Sequence, residues 1–303
     1  MMNKTKVVSL FILYFIILAG CVENKKEEVI DTTKENNEQI LEYAYGSGIK
    51  DYNGETITYD SEYLEIPFVY FNEGNALQVG LLVFINGIPQ IYSVDDLEFE
   101  NYHIFDIGEK KTKEITLKIK PNIGKTGDNL NLNFVSVLNP NPVKSLTEYR
   151  FNHSLNQPMG TNLEYLIDST SSYIETQNVA VKESISKEDM KRYKDESTKP
   201  VSNLLDNNVV VEAYQDDTLK NDVLKRDENT KVKVAGYSGD YILYKVYDGI
   251  NVDPNGIYVS AKKETYDVVD IGELPDDIKN IYFMIVPVDI VHYVEQSQRL
   301  MVK

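Results

Sequence analysis

In the stretch LNLNFVSVL (130–138), Leu130, Leu132, Phe134 and Leu138 fall at even spacings, with asparagines between the first three. A period of two puts those side chains on one face of an extended strand and leaves the asparagines on the other, the mark of a strand with one wet face. The same style recurs on both sides. ETITYDSEYLEIPFVYF, ALQVGLLVFI, QIYSV and EITLKIKP precede this stretch; NNVVVEAY, TKVKVAGY, DYILYKVY, GIYVS and NIYFMIVPV follow it. Each is short, rich in Val, Ile, Tyr and Phe, and bounded by Gly, Asn, Asp or Pro, the pattern of strands separated by turns. Asn86-Gly87, between LLVFI and IPQIYSV, is a hairpin signal because both residues tolerate positive φ. Ser238-Gly239 and Asp248-Gly249 read as further turns.

Two blocks of such strands predict a mainly β protein: two tandem β-sandwich domains of immunoglobulin-like architecture, with small barrels as the alternative. The chain has one cysteine and no tryptophan, so the Cys…Trp…Cys core of antibody domains is excluded and the label is architectural only. Between the blocks the character changes. SISKEDMKRYKDES predicts a short polar helix, with Ser186 and Asp189 as a variant capping box, and TNLEYLIDS is a strand or a short helix. The resulting division is a signal segment over 1–20, a tether over 21–45, a first sandwich over 46–150, a connector with a short helix over 151–204 and a second sandwich over 205–303.

The two halves share landmarks. Asp106-Ile107-Gly108-Glu109 recurs as Asp270-Ile271-Gly272-Glu273. FINGI precedes the first and VYDGI the second, while EITLKIKP and NIYFMIVP follow them. This order predicts a duplicated module in which DIGE occupies one place in each copy. Ile107 and Ile271 then point inward, and Ile115, Ile119, Ile281 and Ile285 lie on core faces.

The single cysteine closes a different kind of segment. Lys4 and Lys6 precede an apolar and small-residue run from Val7 to Gly20, too short to span a bilayer comfortably but suited to the core of an export signal. It ends Leu18-Ala19-Gly20-Cys21, which resembles the lipobox of bacterial lipoprotein signal peptides. The resemblance covers about the first 21 residues. It implies cleavage before Cys21, a diacylglycerol thioether on Cys21, and a mature chain held on the extracytoplasmic face of the cell membrane. Two acyl chains are what stable anchoring requires. The next segment, VENKKEEVIDTTKENNEQ, is charged and lacks aromatics, and is expected to be a flexible tether.

Composition narrows the partners. With 48 acidic against 31 basic residues the net charge is −17, which argues against nucleic acid and against anionic lipid beyond the anchor. His103, His153 and His292 lack neighbours at metal-ligand spacing, so neither metal nor cofactor is expected. GYSGD (236–240) lacks the second glycine of a nucleophile elbow, and GKTGD (124–128) lacks the first glycine of a phosphate loop, having Ile119 there. The oxygen-rich stretch 248–256 does not follow EF-hand spacing and reads as a turn. Tyr241, Tyr244 and Tyr247 cluster on one hairpin, with core packing expected before any exposed platform. No catalytic residue is assigned. The expected role is non-catalytic, binding a protein or a glycan or acting as a spacer. The alternative is an envelope hydrolase working on glycan or peptide. Replacement Cys21→Ser is expected to move the protein from the detergent phase to the aqueous phase in a phase-separation assay of whole cells.

Overall fold

In the computed structural model, which describes residues 45–146, 156–169, 180–195, 202–288 and 292–303, nearly all regular structure is antiparallel strand. Cys21, Leu18, Ala19, Gly20, the tether up to residue 44 and His153 lie outside the described residues, while Tyr45, assigned to the tether from sequence, opens the first strand.

The first sandwich uses β1 (Tyr45–Ile49), β2 (Ile57–Tyr59), β3 (Leu64–Asn72), β4 (Leu77–Ile85), β5 (Ile88–Pro89), β6 (Tyr92–Val94), β7 (His103–Ile107), β8 (Thr112–Ile119), β9 (Asn129–Leu138) and β10 (Asn156–Tyr165). Sheet I has the order β1-β3-β8-β6, and sheet II the order β2-β10-β9-β4-β5 with β7 also on β4. Alternation along β3 is nearly perfect: Leu64, Ile66, Phe68 and Tyr70 are buried while Glu65, Pro67 and Phe71 are exposed. Those inward residues meet Leu132, Phe134, Leu138 and Leu163 from sheet II in one core. The turn at Asn86-Gly87 forms as predicted, with φ of 46° and 77°.

The connector is more structured than its sequence suggests. Its first part, Asn156–Tyr165, is not a linker: it is β10, paired with β9 over nine residues of register and completing sheet II. Strand β11 (Val181–Ser184) pairs with the second sandwich, and α1 (Lys187–Arg192) is the predicted short helix. The Ser186 side chain accepts from the Asp189 backbone N–H, as the capping box requires. A two-strand ladder, β12 (Lys194–Asp195) with β13 (Ser202–Asn203), then leads into a 3₁₀ turn at Leu204–Asp206.

The second sandwich uses β14 (Val209–Gln215), β15 (Thr218–Lys220), β16 (Val223–Leu224), β17 (Thr230–Gly236), β18 (Gly239–Tyr247), β19 (Asn251–Val252), β20 (Ile257–Ala261), β21 (Thr265–Gly272), β22 (Asn280–Pro287), β23 (Glu295–Gln296) and β24 (Leu300–Val302). Sheet III has the order β16-β24-β22-β18-β19, with β20 on β18 and β23 on β22, and sheet IV the order β11-β21-β17-β14-β15. The strand order of the first sandwich is repeated. β1-β3-β8 corresponds to β14-β17-β21, and β2-β10-β9-β4 to β16-β24-β22-β18. Even the parallel pairing of β2 with β10 recurs in β16 with β24.

The DIGE repeat, however, does not mark equivalent places. The first ends β7, which pairs with β4 in sheet II; the second ends β21, which pairs with β17 in sheet IV. By strand order the counterpart of β7 is β20, and that of β21 is β8. The letters therefore match one strand out of step. Ile107, Ile115, Ile119, Ile281 and Ile285 are buried and Ile271 partly so, but burial is what alternating strands give in any register. FINGI and VYDGI do close equivalent hairpins, β4–β5 and β18–β19.

The sandwiches meet face to face. Leu82, Phe84, Val135 and Val137 on the outer face of sheet II pack against Ile242, Tyr244, Val246, Tyr282, Met284 and Val286 on the outer face of sheet III. All eight residues of β22 are consequently buried. Polar bonds rim the contact. The Tyr244 hydroxyl donates to Gly87 O at 2.8 Å, the Val143 N–H to Asn280 Oδ1 at 2.6 Å, and the buried Arg299 guanidinium to Asn139 O at 3.1 Å. At Gly249, with φ of 104°, any side chain would collide with the Pro140 carbonyl of the other sandwich. An apolar interface of this kind couples the two modules. Thermal unfolding is expected to show one transition. Tyr244→Phe, which leaves the buried Gly87 carbonyl without its donor, should lower stability by about 1–3 kcal/mol, read by chemical denaturation.

Candidate functional site

The strand that opens the second sandwich has one uncovered edge. Val209, Val211 and Ala213 of β14 point into the core, and Val210, Glu212 and Tyr214 point outward. Along one edge β14 pairs with β17 from Val209 to Tyr214. Along the other it pairs with β15 only over Ala213–Gln215, through a tight turn in which Asp216 and Asp217 both have positive φ. Gly236 donates to Lys262 O, away from β14, so its partner Val209 also faces away from β17. Ladder alternation then leaves the N–H and C=O of Val209 and Val211 facing outward, unpaired among the described residues.

Opposite this edge runs Glu295–Gln298. In the first sandwich the corresponding strand, β10, runs unbroken along β9. Here it is split: β23 pairs with Met284 and Ile285, and β24 with Asn280 and Ile281. The break has a local cause. Glu295-Gln-Ser-Gln-Arg299 has no β-branched or aromatic residue to hold a pleated strand. The Ser297 hydroxyl folds back onto the chain, donating to Gln298 O and accepting from Phe283 N–H. Arg299 is drawn instead to the carbonyls of Asn139 and Asn141 in the first sandwich.

Between these walls lies a groove of about 350 Å³, lined by Leu204, Asn208, Val209–Ala213, Leu219–Asn221 and Glu295–Gln298. One end abuts an aromatic patch: His292 stacks on the exposed Tyr237 at 4.4 Å between ring centres, beside the exposed Tyr293. The Tyr237 N–H donates to Asn208 O on the groove wall. Glu212 ties the groove to the connector. Its Oε2 accepts from the hydroxyls of Tyr193 and Tyr214 and from Arg192 at 2.8–3.0 Å, and Tyr193 also meets the Tyr266 hydroxyl at 2.7 Å. Burial first, then the Tyr266 hydroxyl and the Glu212 charge, hold the Tyr193 phenol well above its usual pKa, so it stays a neutral donor. This network pins the end of α1 to the outer face of sheet IV.

Glu295 is the exception in the groove. Its carboxyl is partly buried and has no hydrogen-bond or ion-pair partner among the described residues; burial pushes its pKa up to about 7.

The positions singled out from sequence fall elsewhere. His103 is buried, with Nε2 3.0 Å from Tyr92 O, and packs within the first sandwich. Gly124 and Gly127 of GKTGD take positive φ in a surface loop, and GYSGD is the turn between β17 and β18. The carboxylates of 248–256 already have partners. Asp248 accepts from the N–H groups of Lys279 and Asn280, and Asp253 pairs with Lys245 at 2.8 Å. Among the described residues no group of three or more His, Cys, Asp or Glu could hold a metal. Tyr241 and Tyr244 are buried and Tyr247 is partly buried, so the hairpin tyrosines are packing residues. Sequence reading missed the groove. The available signal was the run EQSQR inside an otherwise strand-rich C-terminal segment.

No family model and no curated protein matches the chain. Among solved structures, the E. coli chaperone DraB is matched over 86% of this chain and 98% of its own, at 10% identity and a TM-score of 0.27. A Salmonella enterica SafA pilin in complex with the SafB chaperone is matched over 84% and 96%, at 9% identity and a TM-score of 0.26. A likeness at this level is one of fold alone.

The Glu295 carboxyl yields a pH signature. Its folded-state pKa lies above its ordinary 4.5, so the folded protein holds the proton more tightly than the unfolded chain. The contribution of this group to stability is full below pH 4.5 and is lost as pH rises to about 7. Glu295→Gln should flatten the pH dependence across that window and be more stable than the parent above pH 7, measured by urea denaturation at several pH values.

Proposed function

We propose that the protein is a lipoprotein anchored through Cys21 on the extracytoplasmic face of the cell membrane, with a non-catalytic role: its paired sandwiches hold an extended segment of another protein in the groove of the second one. The observation that carries this reading is the uncovered edge of β14 at Val209 and Val211, beside a neighbouring strand that is split where its counterpart is whole. Unpaired backbone groups on a sheet edge are the element that β-strand addition uses. A guest strand would run in line with β15, which already occupies the same edge from Ala213 onward.

The packed interface between the sandwiches favours binding over a flexible spacer, because an apolar contact of this kind holds the groove in a fixed orientation. The acidic surface keeps a tethered module soluble and repels nucleic acid. A photoreactive amino acid placed at Asn221, on the groove, should crosslink to protein in intact cells, whereas the same group at Glu114, on the outer face of sheet I, should not. Crosslinking at equal yield from both positions, or from neither, would remove the groove from the account.

A further inference from the structure

Resting on that groove reading, we infer that the segment it accepts is cationic: an extended strand carrying a lysine or arginine whose charged end pairs with Glu295. Two observations on the groove converge on this chemistry. The first is Glu295 itself. A partly buried carboxylate with no partner among the described residues is costly to keep charged, and a protein group that approaches it as a cation removes that cost. Three other carboxylates with little exposure are paired with cations. Asp267 is paired with Lys182, Asp253 with Lys245, and Glu212 with Arg192. Glu295 departs from that pattern and stands in the wall of a groove.

The second observation is the balance of charge around it. Lys220 is the one cation lining the groove and makes no ion pair with Glu295 among the described residues, while the other acidic residue there, Glu212, is already held by Arg192. Arg192, which partners Glu212, is committed to Asp189, Tyr193 and Tyr214 as well and so is held on the outer face of the sheet. On a chain of net charge −17 the long-range field also favours a positively charged partner. The outward backbone of Val209 and Val211 supplies pairing without regard to sequence, and Glu295 supplies the selection. Burial makes that selection sharp, because a charge-assisted hydrogen bond in a partly dry groove is stronger than one on the open surface.

The test uses the full chain in detergent micelles and two end-capped eight-residue peptides of alternating threonine and valine, identical except for lysine or glutamine at one central threonine position. Amide hydrogen exchange at Val209 and Val211 reports strand addition, and titration reports affinity. Both peptides should slow exchange at Val209 and Val211, and the lysine peptide should bind about tenfold more tightly. In Glu295→Gln the two peptides should bind alike, with exchange still slowed. Slowed exchange with equal affinities for the parent chain leaves the groove reading standing and overturns the cationic preference. A lysine preference that persists in Glu295→Gln overturns the assignment to this carboxyl. No change in exchange with either peptide overturns both readings.

Discussion

The structure depends on one contact, the apolar seam where sheet II meets sheet III. A β-sandwich ordinarily keeps one face of each sheet in water. Here β4, β9, β18 and β22 are covered on both sides, by their own core and by the neighbouring module. Four sheets stack in the order I, II, III, IV, and the middle two carry long unbroken apolar runs, LLVFI and IYFMIVP. The seam also fixes polar geometry at its edges. Arg299 reaches across to backbone carbonyls of the first sandwich, and between Ser297, whose N–H still bonds Phe283 O, and Leu300 the register against β22 shifts by one residue. The groove thus shares a wall with the seam: the chain that fastens the two modules together also faces the open edge of β14.

Much of the fold was legible because it rests on periodicity. Alternation of the kind seen in β3, and turn pairs such as Asn86-Gly87, follow from side-chain direction and positive φ, and both act locally, whereas the asparagine face of β9 that alternation marks as wet is buried, Asn131 and Asn133 included. The capped helix at Ser186 was readable for the same reason. What was misread rests on information that is not local. The DIGE match looked like a landmark, but strands of similar composition repeat short motifs by chance, and only pairing partners separate β7 from β21. The strand β10 was half legible, since TNLEYLIDS allowed a strand, but the preceding NQPMG combines Pro, Gly and Asn, and the strand's place is set by nine partners on β9 rather than by its own propensity. The seam itself was written in the unbroken apolar runs. A run without alternation signals a strand buried on both faces, and both the first and the second module carry one.

The candidate site was hardest to see because it consists of things missing from a pattern: an edge left unpaired, a strand that stops and restarts, and a carboxyl without a partner. None has a residue signature of its own. A motif search looks for side chains that do chemistry, and here the outward groups of Val209 and Val211 are backbone, the same in any sequence. Only Glu295 brings a specific side chain, and among 48 acidic residues nothing in the sequence distinguishes it. Its environment does, because burial without a partner is a property of the folded neighbourhood.

The duplication gives the groove its sharpest reading. Two modules with one strand order provide an internal control: the first shows what the last strand of the fold looks like when complete, and the second shows it interrupted. If the interruption were only a fault in strand-forming sequence, water would satisfy the exposed edge and the chain beside it would be free to vary. Instead the neighbouring residues are engaged, with Ser297 bonded to Phe283, Arg299 to the other sandwich and Glu212 to the connector helix. A gap whose borders are tied down on three sides keeps its shape. For an extended guest that matters, because the entropy of ordering the walls has already been met when the protein folds, and binding then has to order only the guest.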